Sequence, residues 1–424
     1  MGKPLQINPI KLSQPMGAML FFLGVKNTMP LMHGAQGCAS FSKVFFTRHF
    51  NDPIAVQTTA VNDITAVIDG GDYSISEAVK NITKKVTPDL VGLFTTGMTE
   101  TKGDDIKGAA YLLKDKQKMV YVHTPDFEGG LESGFAKSIE ATIEQLVNPS
   151  ETIDHKKVLL IPNVNLTPIE VETLKEELVS FGLCPFALPD ISLSLDGHLG
   201  LKQGAVTSGG ISVSEIESLG DSALVITIGN SVKKSGSLMQ EKNSKTQHFH
   251  FDTISGLINS DAFYKKLMDY KEISKPSPSI LRWRQRLQDA LLDTHFAIGG
   301  AKVVIAAEPD HILSIATAIK EAGADITAVV SPTKSEVLQQ VPSENVIIGD
   351  FEDVESALED ADILISNFHG ERICHKHHKA LMLRGFPNYE ELGNQLKNDQ
   401  LYRGSCYMLF ELANILNHYK FSSH

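Results

Sequence analysis

Short apolar runs alternate with amphipathic stretches along most of the chain, and this alternation predicts the architecture. LVGLF (Leu90–Phe94) and MVYVHTP (Met119–Pro125) read as strands, with a helix over 106–113 between them. Ser74 and Glu77 have capping-box spacing and predict a helix running to about Lys85. A second series opens near His155. VLLIP (Val158–Pro162) is a strand, Thr167 and Glu170 form a capping box around Pro168, Gly182 stops the helix, and ALVITIG (Ala223–Gly229) is a later strand. The third series holds strands KVVIAA (Lys302–Ala307), DITAVVS (Asp325–Ser331), NVIIG (345–349) and DILIS (362–366). Helices over 309–322 and near 353–359 separate them, the first ended by Gly323. Apolar runs without alternation suit strands covered on both faces, and strand–helix–strand repetition predicts parallel sheets with right-handed crossovers. The expected fold class is therefore α/β, with three doubly wound Rossmann-like domains over residues 1–150, 151–295 and 296–424.

The connecting segments are more polar. KKSGSLMQEKNSKTQ (Lys233–Gln247) reads as a mobile loop from its Lys, Ser and Gln content. After KPSPS, the segment RWRQRLQDALLDTHF places Trp283, Leu287 and Leu291 on one helical face and predicts a long helix joining the second and third series. A terminal helix is expected over 408–416.

Composition narrows the class. A net charge of −12 gives no general affinity for nucleic acid or anionic lipid. Four widely spread cysteines make no disulfide framework and suit a reducing compartment, so a cytoplasmic protein is expected. MGKPLQINPIKLSQPMGAML does not read as a signal peptide, and no run of about 18 apolar residues is present for a membrane span.

Most candidate chemistry dissolves on inspection. No GxGxxG follows a strand and no GxxxxGK[ST] occurs, so a dinucleotide or ATP site of the usual kind is unsupported. SGGISVSEI (Ser208–Ile216) reads as an ordinary loop before a helix. HGERICHKHH (His369–His378) holds four histidines and Cys374 but lacks the spacing of known metal sites, and reads as a solvated polar turn. His248 and His250 alternate as on a strand and receive no metal role. Cys184 is expected to be a small buried residue, and Cys406 structural. No nucleophile, acid or base is tied into a catalytic group, and there is no GxSxG elbow.

Cys38 is the exception. In HGAQGC, Gly34 and Gly37 flank it closely enough for the backbone to approach a bulky inorganic group, and Gln36 adds a side-chain donor. Backbone N–H groups can donate to sulfide. A single cysteine is more often packing than chemistry, and one thiolate cannot hold an iron–sulfur cluster, which usually takes four cysteines. Any cluster here needs ligands from another chain.

The residues around it resemble the nitrogenase component 1 family. HGAQGC followed by RHFNDP is similar to the loop carrying the first cluster cysteine of nitrogenase β subunits. LFTTGMTETKGDD (Leu93–Asp105), YVHTPDF (Tyr121–Phe127), the helix RWRQRLQDALLDTHF, EPD (Glu308–Asp310), IGDFED (Ile348–Asp353), RGFP (Arg384–Pro387) and YRGS (Tyr402–Ser405) extend the match in order over nearly the whole chain. The resemblance implies three domains around a central cleft. Catalytic β subunits supply three cysteines to an eight-iron cluster. Here Val56 and Gly97 stand where the second and third would be, and NFHG (Asn367–Gly370) replaces the family's Asn-Ser-His-Gly.

One surviving cysteine is the pattern of the β-like subunits of the NifEN scaffold, on which the iron–molybdenum cofactor is assembled. The resemblance then implies that Cys38 is the single metal ligand from this chain, with Gly34, Gln36 and Gly37 around it, to a [4Fe-4S] cluster shared with a NifE-like α subunit in an α2β2 heterotetramer. It further implies that the FeMo-cofactor precursor is held in the partner chain, supplied by NifB and possibly NifX, and completed with molybdenum and homocitrate by the nitrogenase Fe protein. Three alternatives stay open on sequence: a nitrogenase β subunit proper, a subunit of dark-operative protochlorophyllide reductase, and a metal-free doubly wound binding protein or glycosyltransferase.

Overall fold

A computed structural model describes residues 10–46, 54–61, 71–195, 204–388 and 390–422, so the RHFNDP motif (Arg48–Pro53) lies outside the described residues. Three sheets are present. The first has order β2-β1-β3-β4, from β1 (Thr28–His33), β2 (Gln57–Thr58), β3 (Leu90–Thr95) and β4 (Met119–Val122). The second is β6-β5-β7-β8, from β5 (Asp154–Pro162), β6 (Cys184–Ala187), β7 (Ser222–Ile228) and β8 (Gln247–Phe251). The third is β11-β10-β9-β12-β13, from β9 (Lys302–Ala306), β10 (Asp325–Ser331), β11 (Val346–Ile348), β12 (Ile363–Ser366) and β13 (Ala380–Leu383). All paired strands of the first and third sheets run parallel. In the third, the order reverses between β9 and β12, as in a doubly wound dinucleotide fold.

The chain forms two compact units. One comprises Leu12–Thr227 with Ser231–His250 and contains the first two sheets. The other takes the chain up to Lys11, Ile228–Asn230 and the chain from Phe251 onward, and contains the third.

The apolar runs behave as their lack of alternation implies. Every residue of β1 and β3 is buried, and Leu31, Val91, Leu93 and Phe94 have no exposed surface. The helix Gln14–Leu23 covers one face, with Phe22 stacked on Phe94 at 6.1 Å, and Asp72–Thr83 and Ile106–Leu113 cover the other through Ile75, Val79 and Ile106. The Thr167 box closes as expected: its N–H donates to Glu170 Oε2 at 2.8 Å, and Pro168 begins the helix Pro168–Ser180. Gly182 follows with φ +73°, a left-handed turn that glycine adopts without a Cβ clash. The long helix is found over Pro278–Ile298, and the terminal one runs much further than expected, over Leu401–Ser422.

Four expectations are corrected. Residues 233–247 are not a loop: Lys233–Lys242 is a helix that buries Ser235, Gly236 and Met239, with Gly236 against the His248 ring, so a one-sided face outweighs polar composition. The helix expected at Ser74 starts at Asp72, because the Gly71 N–H is anchored earlier by Asp104 Oδ1 at 3.0 Å. Cys184 is exposed, not buried, since β6 is an edge strand. The histidine-rich segment is a helix, Glu371–His377, that buries Cys374, while His377 and Lys376 pair with Glu355 at the surface.

Candidate metal centre

In a parallel sheet every strand delivers its following loop to the same edge, so the turns after β1, β3 and β4 gather together. β1 and β3 run in register with His33 opposite Thr95. The next residues form two adjacent corners, Gly34–Ala35 leading into the helix Gln36–Phe45, and Thr96 leading into Gly97–Lys102. Thr96 and Thr99 hydroxyls both donate to the His33 carbonyl, at 3.1 and 3.0 Å, and rivet one corner to the other. The two flanking glycines turn out to differ. A Cβ on Gly34 would strike the Thr96 side chain at 2.7 Å, so Gly34 is set by packing. Gly37 has nothing within 4 Å of where a Cβ would be, and faces open space.

Cys38 lies in the first turn of its helix, exposed, with its N–H bonded to Ala35 O at 3.2 Å and its carbonyl accepting from Ser42 Oγ at 2.9 Å. Its thiol pKa is pushed up, first by partial burial and then by the Asp126 carboxylate, against the pull of backbone hydrogen bonds. Asp126, in the turn after β4, accepts the Gly97 N–H at 3.1 Å. Beside it Glu100 accepts the Thr95 hydroxyl at 2.5 Å and pairs with His123 Nδ1 at 2.7 Å. Large apolar side chains are exposed on the same elements: Phe41 (71%) and Val44 (57%) on the Cys38 helix, Met98 (40%) on Gly97–Lys102, and Phe127 (63%) next to Asp126.

A buried anchor holds this edge. The His33 ring, with no exposed surface, joins Thr59 Oγ1 through Nδ1 and Asp104 Oδ2 through Nε2, both at 2.9 Å. Asp104 also takes the Gly71 N–H at 3.0 Å and Lys102 Nζ at 3.4 Å. His33 and Asp104 lie in recognisable motifs, but nothing in the sequence pairs them; only the β1–β3 register brings residues 71 positions apart together. We expect His33→Ala to cost about 2–3 kcal/mol, because the Asp104 carboxylate and the Thr59 hydroxyl each lose a partner. Thermal unfolding reads that loss, and faster reaction of Cys38 with a thiol reagent reads the loosened corner. An unchanged melting temperature contradicts the anchor.

The described residues contain no group of three or more His, Cys, Asp or Glu placed to hold a metal ion. Cys38 is thus a lone thiol donor at an open, partly apolar edge. Val56, 4% exposed before β2, and Gly97, where a side chain would meet Asp126, add no donor. The set fits one quarter of a four-iron cluster and no more.

The profile of the nitrogenase component 1 type oxidoreductases matches residues 13–417. The chain belongs to this family. Among family relatives, the cofactor biosynthesis protein NifN of Mesorhizobium japonicum is 40% identical, covering 97% of this chain and 91% of its own. NifN of Rippkaea orientalis is 37% identical over 98% and 94%, and that of Klebsiella pneumoniae 35% over 98% and 92%. A solved family structure, "Nitrogenase Cp1 at pH 6.5", superposes with a TM-score of 0.92 at 28% identity, covering 98% of this chain and 94% of that one. Component 1 membership accounts for the three parallel sheets. No helix among the described residues is long and apolar enough to cross a membrane.

Proposed function

We propose that this chain is the β-like half of a scaffold on which the iron–molybdenum cofactor of nitrogenase is built, and that Cys38 is its one ligand to a [4Fe-4S] cluster completed by a NifE-like partner. The observation that carries the reading is the combination at the first-sheet edge. A single exposed thiol stands in the turn after β1, Val56 and Gly97 stand where the resemblance places two further cysteines, and exposed Phe41, Val44, Met98 and Phe127 lie on the same helix and the neighbouring turns. Relatives that share 35–40% identity carry the name of cofactor biosynthesis proteins, which supports the same reading.

The residues divide the work. Cys38, as a thiolate, would hold one iron of the cluster at the seam. Gly37 leaves that face of the turn unobstructed, and Gln36 lies at its lip. Thr96, Thr99 and His33 keep the turn rigid so that the sulfur meets the partner in one position. Burial of Phe41, Val44, Met98 and Phe127 against the partner excludes water from the junction. The shared cluster relays electrons when bound. The cofactor precursor is cargo held by the partner, delivered by NifB with NifX as a further candidate carrier, and the Fe protein completes it. The assembly is an α2β2 heterotetramer in the cytoplasm, and the three sheets act as three domains divided near residues 150 and 295.

Purified with its partner, the Cys38→Ala variant should lose the iron of one cluster per pair and the matching EPR signal, while the pair stays assembled. Unchanged iron sinks the proposal. A bound tetrapyrrole in the unaltered pair would favour the reductase instead.

A further inference from the structure

Asp126 occupies a particular place at this edge. Its Oδ2 is held by the Gly97 N–H at 3.1 Å, at the start of Gly97–Lys102. A Cβ built on Gly97 would meet Asp126 Cβ and Oδ2, both at 3.3 Å. The carboxylate therefore stands where a side chain at position 97 would project. The Gly97 corner is riveted to the Cys38 corner through His33, Thr96 and Thr99, so the anion keeps a fixed relation to the sulfur.

Resting on the assignment of Cys38 as an iron ligand, we propose that Asp126 supplies the fixed negative charge that lowers the reduction potential of the iron group at Cys38. A negative charge beside the group disfavours an added electron, and the penalty grows as the local dielectric falls. On the free chain Asp126 is exposed and water screens it. Its neighbours Phe127 and Met98 are apolar, and covering them with a partner removes that screening. The charge thus acts fully only in the assembled pair. Asp126 thereby fills the place of a second thiolate from this chain with an anion fixed by a backbone donor.

The test is an EPR-monitored reductive titration of the purified pair, with iron measured alongside, for the unaltered protein, Asp126→Asn, Asp126→Glu and Cys38→Ser. The Asn variant should keep its iron and titrate at a more positive potential, and Glu should return the potential toward the original. Full iron with an unmoved potential in the Asn variant overturns the proposal. So does loss of iron from that variant, which would make Asp126 a holding group instead of a charge. If the unaltered pair shows no cluster, or Cys38→Ser keeps all its iron and signal, the Cys38 assignment itself falls and takes this inference with it.

Discussion

Arg384→Met should cost about 3–5 kcal/mol of folding stability, the range for breaking a buried ion pair from one side. Arg384 follows β13 and is 4% exposed. Each of its N–H groups has an acceptor. Nε and Nη2 grip Asp399 at 2.6 and 3.0 Å, Nη2 and Nη1 grip Glu411 at 2.6 and 3.1 Å, and Nη1 also reaches Leu383 O at 2.9 Å. The guanidinium pKa is raised despite the burial that opposes it, because two carboxylates face it. Methionine preserves the stem's volume and removes the charge, leaving Asp399, 5% exposed, without its fork. Arg384→Lys should recover only part, since an ammonium cannot serve both carboxylates in the same plane. Lys376→Met is the contrast: its pair with Glu355 lies at the surface and should be worth no more than about 1 kcal/mol. Urea denaturation of the three variants checks the order. An Arg384→Met loss as small as that of Lys376→Met would show that the network is dispensable.

This network also marks what the sequence could and could not reveal. RGFP was visible as a family motif, but nothing in it announces that Arg384 pairs with residues 15 and 27 positions away. Strands were legible because burial on both faces leaves an unbroken apolar run, so DITAVVS matches β10 residue for residue. Helix starts were legible where the cap is local, as at Thr167, and misplaced where a distant residue fixes the start, as Asp104 does at Gly71. Polar composition misled at Lys233–Lys242, where one buried face suffices for a helix. At the candidate centre the cysteine turn could be read from its glycines and its resemblance. The roles of His33 and Asp126 could not, since both depend on which loops the parallel strands bring to one edge.

The other large effect concerns pH. Glu308 caps the helix Pro309–Glu321 just past β9, beside the point where the third sheet reverses order. Its carboxyl is 8% exposed, and Oε2 has no hydrogen-bond partner. A helix N-terminus favours a negative charge. Here burial is the larger influence, reinforced by neighbouring Asp310 and opposed by Lys11, and it pushes the pKa from 4.5 up to about 8. Between those values the folded chain keeps a proton that the unfolded chain has released. Stability from this group is complete below about pH 4.5 and is lost as pH rises through 8. At 1.36 kcal/mol per pKa unit, the ceiling on that loss is roughly 3–5 kcal/mol. His311, one helical turn on, acts in the opposite direction. Burial lowers its pKa from 6.5 to about 4, so its contribution is present above 6.5 and disappears as pH falls through 4. Comparing Glu308→Gln with the unaltered protein cancels His311 and isolates the carboxyl. The variant should melt close to the parent at pH 4.5 and well above it at pH 8.5, because glutamine stays neutral in the same space. A difference between the two proteins that does not change with pH would mean that Glu308 ionises in the fold as freely as in the open chain.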